Sequence, residues 1–474
     1  MNETKNSIYF IGIGGIGMSA LARYFNHAGW RVAGYDRTPS PLTAALEAEG
    51  IAVHYEDSVD RIPEAFRNRA ETRVIYTPAV PADHAELYWF RAQGFEVLKR
   101  SQMLGLLGEG RRVMAVAGTH GKTTTTTMVA HFNAVAAGEG SAFLGGISKN
   151  FDSNLVLGTG VRMAVEADEF DRSFLQLHPQ AAVITSVDPD HLDIYGTYEA
   201  VREAFAQFAS QVVPDGTLIL KHGVSLPLER ADIWRYTYHV TDSGADFHAE
   251  NLSVDGGGDY TFDLVFPDRR IDRCRLGIPG LVNVENCVAA AALVWSEGFT
   301  SNDALREAIA TFRGVQRRFD FWVNDPSVAG GTIYMDDYAH HPAELRAMLT
   351  SVRKMFPERE LTVIFQPHLY TRTRDFAPEF AEALSLADRV WLLPIYPARE
   401  LPIPGVASEM ILEGIASPQK KLITKEQLLT EVGALETGGV LVTAGAGDID
   451  RFCAPVADLV RRKNRDLYGC TEKA

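Results

Sequence analysis

The sequence predicts an α/β fold in three domains: a Rossmann-like N-terminal domain over residues 1–107, a central P-loop-type α/β domain with an added antiparallel sheet over 108–318, and a C-terminal Rossmann-like α/β domain over 319–474. Three observations carry this. Two glycine turns, at 12–17 and 118–123, each lie between a strand pattern and a helical one. Over the last third of the chain strand and helix patterns alternate, as parallel strands with crossover helices require. Between 234 and 280 the pattern changes to short alternating strands with a glycine turn at 256–258, which reads as antiparallel.

In chain order, 7–11 is a buried-strand pattern, Gly12, Gly14, Gly15 and Gly17 form the turn, and 18–28 is helical. A second strand over 31–36 ends in Asp36, 19 residues after Gly17, the distance at which such folds reach a ribose hydroxyl. The central unit opens with a strand over 111–117 that breaks at Gly118 and resumes as a helix to 137; two further apolar runs, 163–168 and 181–188, end in acids. Helical patterns at 283–297 and 302–312 close that unit near Arg317 and Arg318. The last domain reads as strands at 332–336, 361–366, 389–396 and 439–444, with helices at 342–355, 378–387 and 451–462.

With 46 Lys plus Arg against 61 Asp plus Glu, the formal charge is −15. A nucleic acid or an anionic membrane would have to bind against that field, so small substrates are expected instead. Cys274, Cys287, Cys453 and Cys470 are too scattered for a C-x-x-C pair or a disulfide framework, and a reducing cytoplasm is expected. No apolar run approaches the roughly 18 residues of a membrane span. The apolar start at 8–22 loosely resembles a signal peptide, but its glycine spacing suits a nucleotide turn better.

A phosphate needs donors that converge without side-chain bulk, and a glycine turn opening a helix supplies free N–H groups at the positive dipole end. Gly118, Thr119, His120, Gly121, Lys122, Thr123 and Thr124 fit that role, although Val116 replaces the outer glycine of the usual pattern. Lys122 would reach the β- and γ-phosphates and Thr123 would offer its hydroxyl to magnesium. Glu166 and Asp168 end the next strand, where magnesium would find a hard oxygen ligand. His191, surrounded by Asp188, Asp190 and Asp193, is either a metal ligand or a charge-paired loop histidine. The first glycine turn, with Met18 and Ser19 opening its helix, suits a UDP-like diphosphate. Asn283 and Asn286 share one helical face and could meet an adenine edge; Arg372 and Arg374, beside His340 and His341, could clamp a carboxylate.

Nine segments in order resemble the Mur ligase family: 12–20 (GIGGIGMSA), 118–125 (GTHGKTTT), 166–171 (EADEFD), 190–193 (DHLD), 283–290 (NVENCVAA), 314–319 (GVQRRF), 336–342 (DDYAHHP), 366–375 (QPHLYTRTRD) and 444–449 (AGAGDI). They span nearly the whole chain. The resemblance implies an enzyme of peptidoglycan synthesis in which the lactyl carboxylate of UDP-N-acetylmuramate attacks the γ-phosphate of ATP. The acyl phosphate then yields to the amine of L-alanine.

It implies that Gly12, Gly14, Gly15, Gly17, Met18, Ser19 and Asp36 bind the sugar nucleotide. Lys122 and the loop amides would stabilise the moving phosphoryl group, Thr123 and Glu166 would hold one Mg2+, and His191 a second. Asn283, Asn286, Arg318 and Asp336 would contact ATP, and His341 and Arg372 would orient the alanine. The C-terminal domain would close over the cleft, and a homodimer is compatible with the family. Three positions depart from its pattern: Val282 for a histidine, Ser186 for an asparagine and Leu369 for an arginine. Segments 173–175 and 396–404 favour alanine over a tripeptide as the group added. A different class, an NAD-dependent oxidoreductase using the first glycine turn, would leave Lys122 without a task, and an inactive regulator would not need Lys122, Thr123, Glu166 and His191 together.

Overall fold

The computed structural model describes residues 5–81, 83–189, 192–255, 258–325, 328, 330–398 and 400–471. The chain divides into two compact units, one of Met1–Asn251, Phe262–Arg275 and Glu285–Arg313, the other of Leu252–Thr261, Leu276–Val284 and Gly314–Ala474.

The first unit holds two parallel sheets. In the five-stranded one, Ser7–Ile11 is central, flanked by Arg31–Tyr35 and Thr72–Tyr76, with Ala52–His54 and Glu96–Lys99 at the edges. In the seven-stranded one, Arg112–Ala117 is flanked by Arg162–Ala167 and Ala181–Ile184. Its far edge is the antiparallel pair Ser141–Ser148 and Ser153–Val156. Central strands of such sheets are buried on both faces, which is why Ser7–Ile11 and Arg112–Ala117 read as continuous apolar runs. One hydrophobic core joins the two sheets, from Phe10, Leu21 and Phe25 to Phe143, Leu155 and Val165.

A separate three-stranded sheet follows, of His248–Val254, Tyr260–Val265 and Arg270–Arg275. The strand Trp234–Tyr238 corrects the expectation of one small sheet from 234 onward: it pairs in parallel with Thr217–Lys221 at the edge of the seven-stranded sheet. Alternation marks one buried face and cannot tell which sheet supplies it. Gly256 and Gly257 lie outside the described residues.

The second unit contains a six-stranded sheet, in the order Asp320–Val323, Ile333–Asp337, Val440–Ala444, Leu361–Phe365, Arg389–Leu392 and Gln419–Leu422, parallel except for the first pair. Successive residues serve opposite faces: Met335, Val363, Leu392 and Val442 enter one core, Tyr334, Ile364, Trp391 and Leu441 the other. The helix expected at 378–387 runs Tyr370–Leu384. Pro378 does not start it; the helical geometry breaks at Phe376, and the proline follows that break, where a missing N–H costs little.

Candidate active site

The phosphate-type loop leaves the central strand of the seven-stranded sheet. Gly118 and Gly121 take φ values of +135° and +81°, and a Cβ on Gly118 would lie 2.0 Å from Thr185 Oγ1, so only glycine fits there. The helix Lys122–Ala137 carries no side-chain cap on its first turn. The neighbouring strand's continuation fixes the loop: Ser186 Oγ lies 2.7 Å from Thr119 Oγ1 and accepts the His120 N–H at 2.9 Å. Thr185 donates to the Ala117 and His120 carbonyls, and Asp188 lies 3.4 Å from His120 Nε2. Within the threonine run, Thr126 and Thr127 turn their hydroxyls back to the Lys122 and Thr123 carbonyls, and Thr125 donates to Asn286 Oδ1 at 3.3 Å. Thr123 and Thr124 are buried on the first turn. Asn286 also abuts Gly121, whereas Asn283 donates to the Pro279 carbonyl at its own helix's entry.

In parallel register Val116 faces Glu166, so the acidic segment emerges beside the loop. Lys122 Nζ donates to Gly118 O at 2.6 Å and Glu169 Oε1 at 2.9 Å. Burial alone would lower its pKa, but Glu169, Glu166 and Asp168 outweigh that and hold the ammonium above its ordinary value. Glu166 Oε2 is buried with no hydrogen-bond partner among the described residues. Gly145 makes room for it: a Cβ there would lie 2.1 Å from that oxygen. A hard, unsatisfied carboxylate oxygen in a pocket cleared by a glycine fits magnesium. His191 and Asp190 lie outside the described residues. Among the described residues no trio of His, Cys, Asp or Glu gathers into a metal cluster.

The first glycine turn faces the same place. Gly12 holds φ +86° against Thr77, at the point where strand order reverses between Ser7–Ile11 and Thr72–Tyr76, where open α/β sheets bind ligands. A cleft of about 240 Å³ opens there, lined by Gly15, Gly17, Met18, Arg100, Gly145 and Glu166 among others. The helix Ile16–His27 begins at Gly15 without a side-chain cap. Asp36 Oδ2 accepts the Gly14 N–H at 2.7 Å, so this carboxylate closes the turn itself. Ser19 is fully buried and donates to Ile16 O at 3.0 Å, on the side away from solvent.

Sequence reasoning missed Lys99 and Arg100. Arg100 packs on Gly17, where a Cβ would lie 2.7 Å from its Nη1, and donates to Asp168 at 3.2 Å; Lys99 donates to Asp171 at 2.7 Å. Asp171 and Arg172 both take left-handed backbone, φ +53° and +55°, in the loop those cations hold. The available signal was two cations at the carboxyl end of the first sheet's last strand.

In the second unit Asp336 is fully buried, with Oδ2 accepting Arg317 Nε at 3.0 Å and Oδ1 accepting the Thr443 hydroxyl at 2.7 Å. Both carboxylate oxygens are thus engaged by neighbouring side chains. Arg318 lies over the Tyr338 ring, 4.8 Å from its centroid, and 3.8 Å from Glu344. Burial pushes the Asp337 carboxyl up to about 6 against the pull of Arg318 and the Phe319 and Ala339 N–H groups. Burial also pushes His340 down to about 4; the charges of Arg372 and Arg318 act with it, while Glu344 opposes. His341 caps the helix Pro342–Met355 and rests 5.1 Å from the Phe376 ring. Arg372 is buried, but Arg374 is half exposed and paired with Asp375, so the two arginines do not converge as a clamp. Residues two apart on a helix point to different faces.

Three family models match in sequence: the Mur ligase family catalytic domain over residues 7–112, the Mur ligase middle domain over 116–294, and the Mur ligase glutamate ligase domain over 317–447. The chain belongs to the Mur ligase family. It is 52% identical to the UDP-N-acetylmuramate–L-alanine ligase of Parabacteroides distasonis, covering 97% of this chain and 98% of that one. It is 48% identical to the enzyme of the same name from Phocaeicola vulgatus, covering 97% and 99%. Among solved structures it resembles the UDP-N-acetylmuramate–alanine ligase of Thermotoga maritima, with a TM-score of 0.78 at 29% identity over 98% of this chain and 99% of that one.

Two of the three departures from the Mur ligase pattern have structural content. Ser186 is small enough to serve the Thr119 hydroxyl and the His120 N–H together. Leu369 is buried in a left-handed conformation, φ +70°, at the entry to the helix that carries Arg372, and its carbonyl accepts the Thr373 hydroxyl. Nothing in the structure explains Val282.

Proposed function

We propose that this Mur ligase joins L-alanine to the lactyl carboxylate of UDP-N-acetylmuramate in peptidoglycan precursor synthesis, with cleavage of ATP to ADP and phosphate. The carrying observation is the shared cleft: the open helix start at Gly15–Met18, the Arg100 guanidinium and the unsatisfied Glu166 carboxylate line one space, and Lys122 stands within the electrostatic reach of Glu166. We assign residues 1–107 to the sugar nucleotide, 108–318 to ATP and 319–474 to the amino acid.

The helix start and Arg100 would hold the diphosphate, leaving the lactyl carboxylate aimed along the cleft. The amides of Gly118–Lys122 and the Lys122 ammonium would bind the triphosphate and stabilise the charge on the phosphoryl group as it moves to that carboxylate. Magnesium, held by Thr123 and Glu166 with His191 for a second ion, would neutralise phosphate charge. Asn283, Asn286 and Arg318 would place the nucleotide; His341 and Arg372 would present the alanine amine to the acyl phosphate, displacing inorganic phosphate and forming the amide. Positioning and charge do the chemistry, and no covalent enzyme intermediate is needed.

The cytoplasm is the proposed compartment: Cys274, Cys287 and Cys453 are free and buried, and no described helix is long and apolar enough to cross a membrane. The test is phosphate release from ATP by the purified protein, scanned across free amino acids and the tripeptide. Release that needs both UDP-N-acetylmuramate and L-alanine is expected. Release with the tripeptide alone would assign a recycling ligase, and nicotinamide turnover without ATP an oxidoreductase.

A further inference from the structure

The helix that opens the sugar-nucleotide seat is docked on the edge hairpin of the ATP-side sheet, and the contact is mostly apolar. Leu21 and Phe25 share a core with Phe143 and Leu155, and the Tyr24 and Phe143 rings lie 5.5 Å apart. Within it sits Asn154, fully buried on the edge strand Ser153–Val156. Its amide donates to Ile16 O at 2.5 Å and to Ser19 Oγ at 2.8 Å, and its carbonyl accepts Arg23 Nη1 at 2.5 Å. Both ends of the amide are thus satisfied, all by one helix and across more than 130 positions of sequence.

Apolar contacts tolerate sliding, whereas a buried amide satisfied at both ends does not, because any shift leaves desolvated groups unpaired. Asn154 therefore fixes the register of the helix on the hairpin. The Ile16 carbonyl it grips belongs to the turn whose Gly15–Met18 backbone lines the cleft. On its other side, the strand register runs from Leu155 to Phe143 and from Phe143 to Val165, next to Glu166. Two strand pairings across one sheet thus connect the amide to the acid beside the phosphate-type loop.

We infer that Asn154 is a positioning residue for the ligation, setting the distance between the seat of the sugar nucleotide and the phosphoryl-transfer site. This rests on the ligase reading above. Its loss moves the acceptor carboxylate relative to the phosphate without removing a group that touches either substrate. Misplacement by about 1 Å costs on the order of 100-fold in rate.

The test compares Asn154→Ala and the near-isosteric Asn154→Asp, which keeps the acceptor for Arg23 and loses the donors, with Leu155→Ala, which leaves the amide in place and opens a cavity beside it. Expected for both Asn154 variants are a fall in saturated turnover of about 10- to 100-fold, dissociation constants for UDP-N-acetylmuramate and for ADP each within about threefold of wild type, and amides of residues 17–21 exchanging at least about tenfold faster while those of 112–117 do not change. Leu155→Ala should lower the melting temperature with turnover within about threefold. Unchanged turnover in both Asn154 variants, or a loss that Leu155→Ala matches at equal melting temperature, would overturn the inference. A wild-type chain without alanine-dependent phosphate release would defeat the ligase reading instead, and the exchange data would still decide whether Asn154 holds the helix.

Discussion

Lys122 and Glu169 form a buried ion pair, Nζ to Oε1 2.9 Å, at the mouth of the phosphate-type loop, with the lysine also folded onto the Gly118 carbonyl. The lysine is thereby kept charged, since the low-dielectric surroundings that would discharge it also strengthen its attraction to the acids.

Lys122→Ala should lower turnover by at least roughly 10²–10³, the effect of removing one preorganised charge-stabilising group. It should also destabilise the fold by about 3 kcal/mol, because Glu169 is left buried without that partner. Adding Glu169→Gln should restore most of the stability and none of the turnover. Denaturant titration and steady-state phosphate release separate the two effects.

Arg100 lies on Gly17 at the open helix start. Arg100→Gln should raise KM for UDP-N-acetylmuramate by at least about tenfold, as for one lost hydrogen bond to a charged group, with KM for ATP nearly unchanged. An equal rise in both would show that the guanidinium acts only through Asp168.

Ser186 holds Thr119 and His120. Ser186→Ala strips the His120 N–H of its acceptor and should raise KM for ATP about fivefold to tenfold, the cost of one unsatisfied buried donor. Ser186→Asn, the residue common in the family, should retain more affinity than alanine does. An alanine variant with wild-type KM would mean the loop keeps its shape without this bond.

His131 is buried beside Phe132, Phe151 and Phe312, its Nε2 3.0 Å from the Thr311 hydroxyl, and burial pushes it down to about 4. A depressed histidine favours the fold above its ordinary pKa of about 6.5, and that contribution is lost as pH falls toward 4. Between pH 7.5 and pH 5 it amounts to about 2 kcal/mol. His131→Gln should remove that increment from the pH dependence of urea unfolding; an unaltered acid slope would place the titration elsewhere.

Much of the site was legible because its parts are local. The glycine spacing, the acids that end strands and the lysine opening a helix each follow from a few consecutive residues. What the sequence left open is which partner each side chain takes, near or far along the chain. Asp36 closes the turn at Gly14, Asp336 is consumed by Arg317 and Thr443, and Arg374 faces Asp375 and solvent. A carboxylate at a strand end looks the same in sequence whether it meets a ligand or a neighbouring N–H.

By itself the sequence marked the central strands, the two glycine turns between strand and helix, and the family, because backbone preference and hydrophobic period are properties of short stretches. Only the tertiary structure decided that the first glycine turn and Glu166 line one cleft, that Gly145 clears the space around Glu166, that Arg100 packs on Gly17 in that cleft, and that Asn154 ties the helix to the neighbouring sheet. These depend on strand register and helix docking, where contacts between residues scores of positions apart are chosen by the packing of the whole unit and leave no local pattern behind.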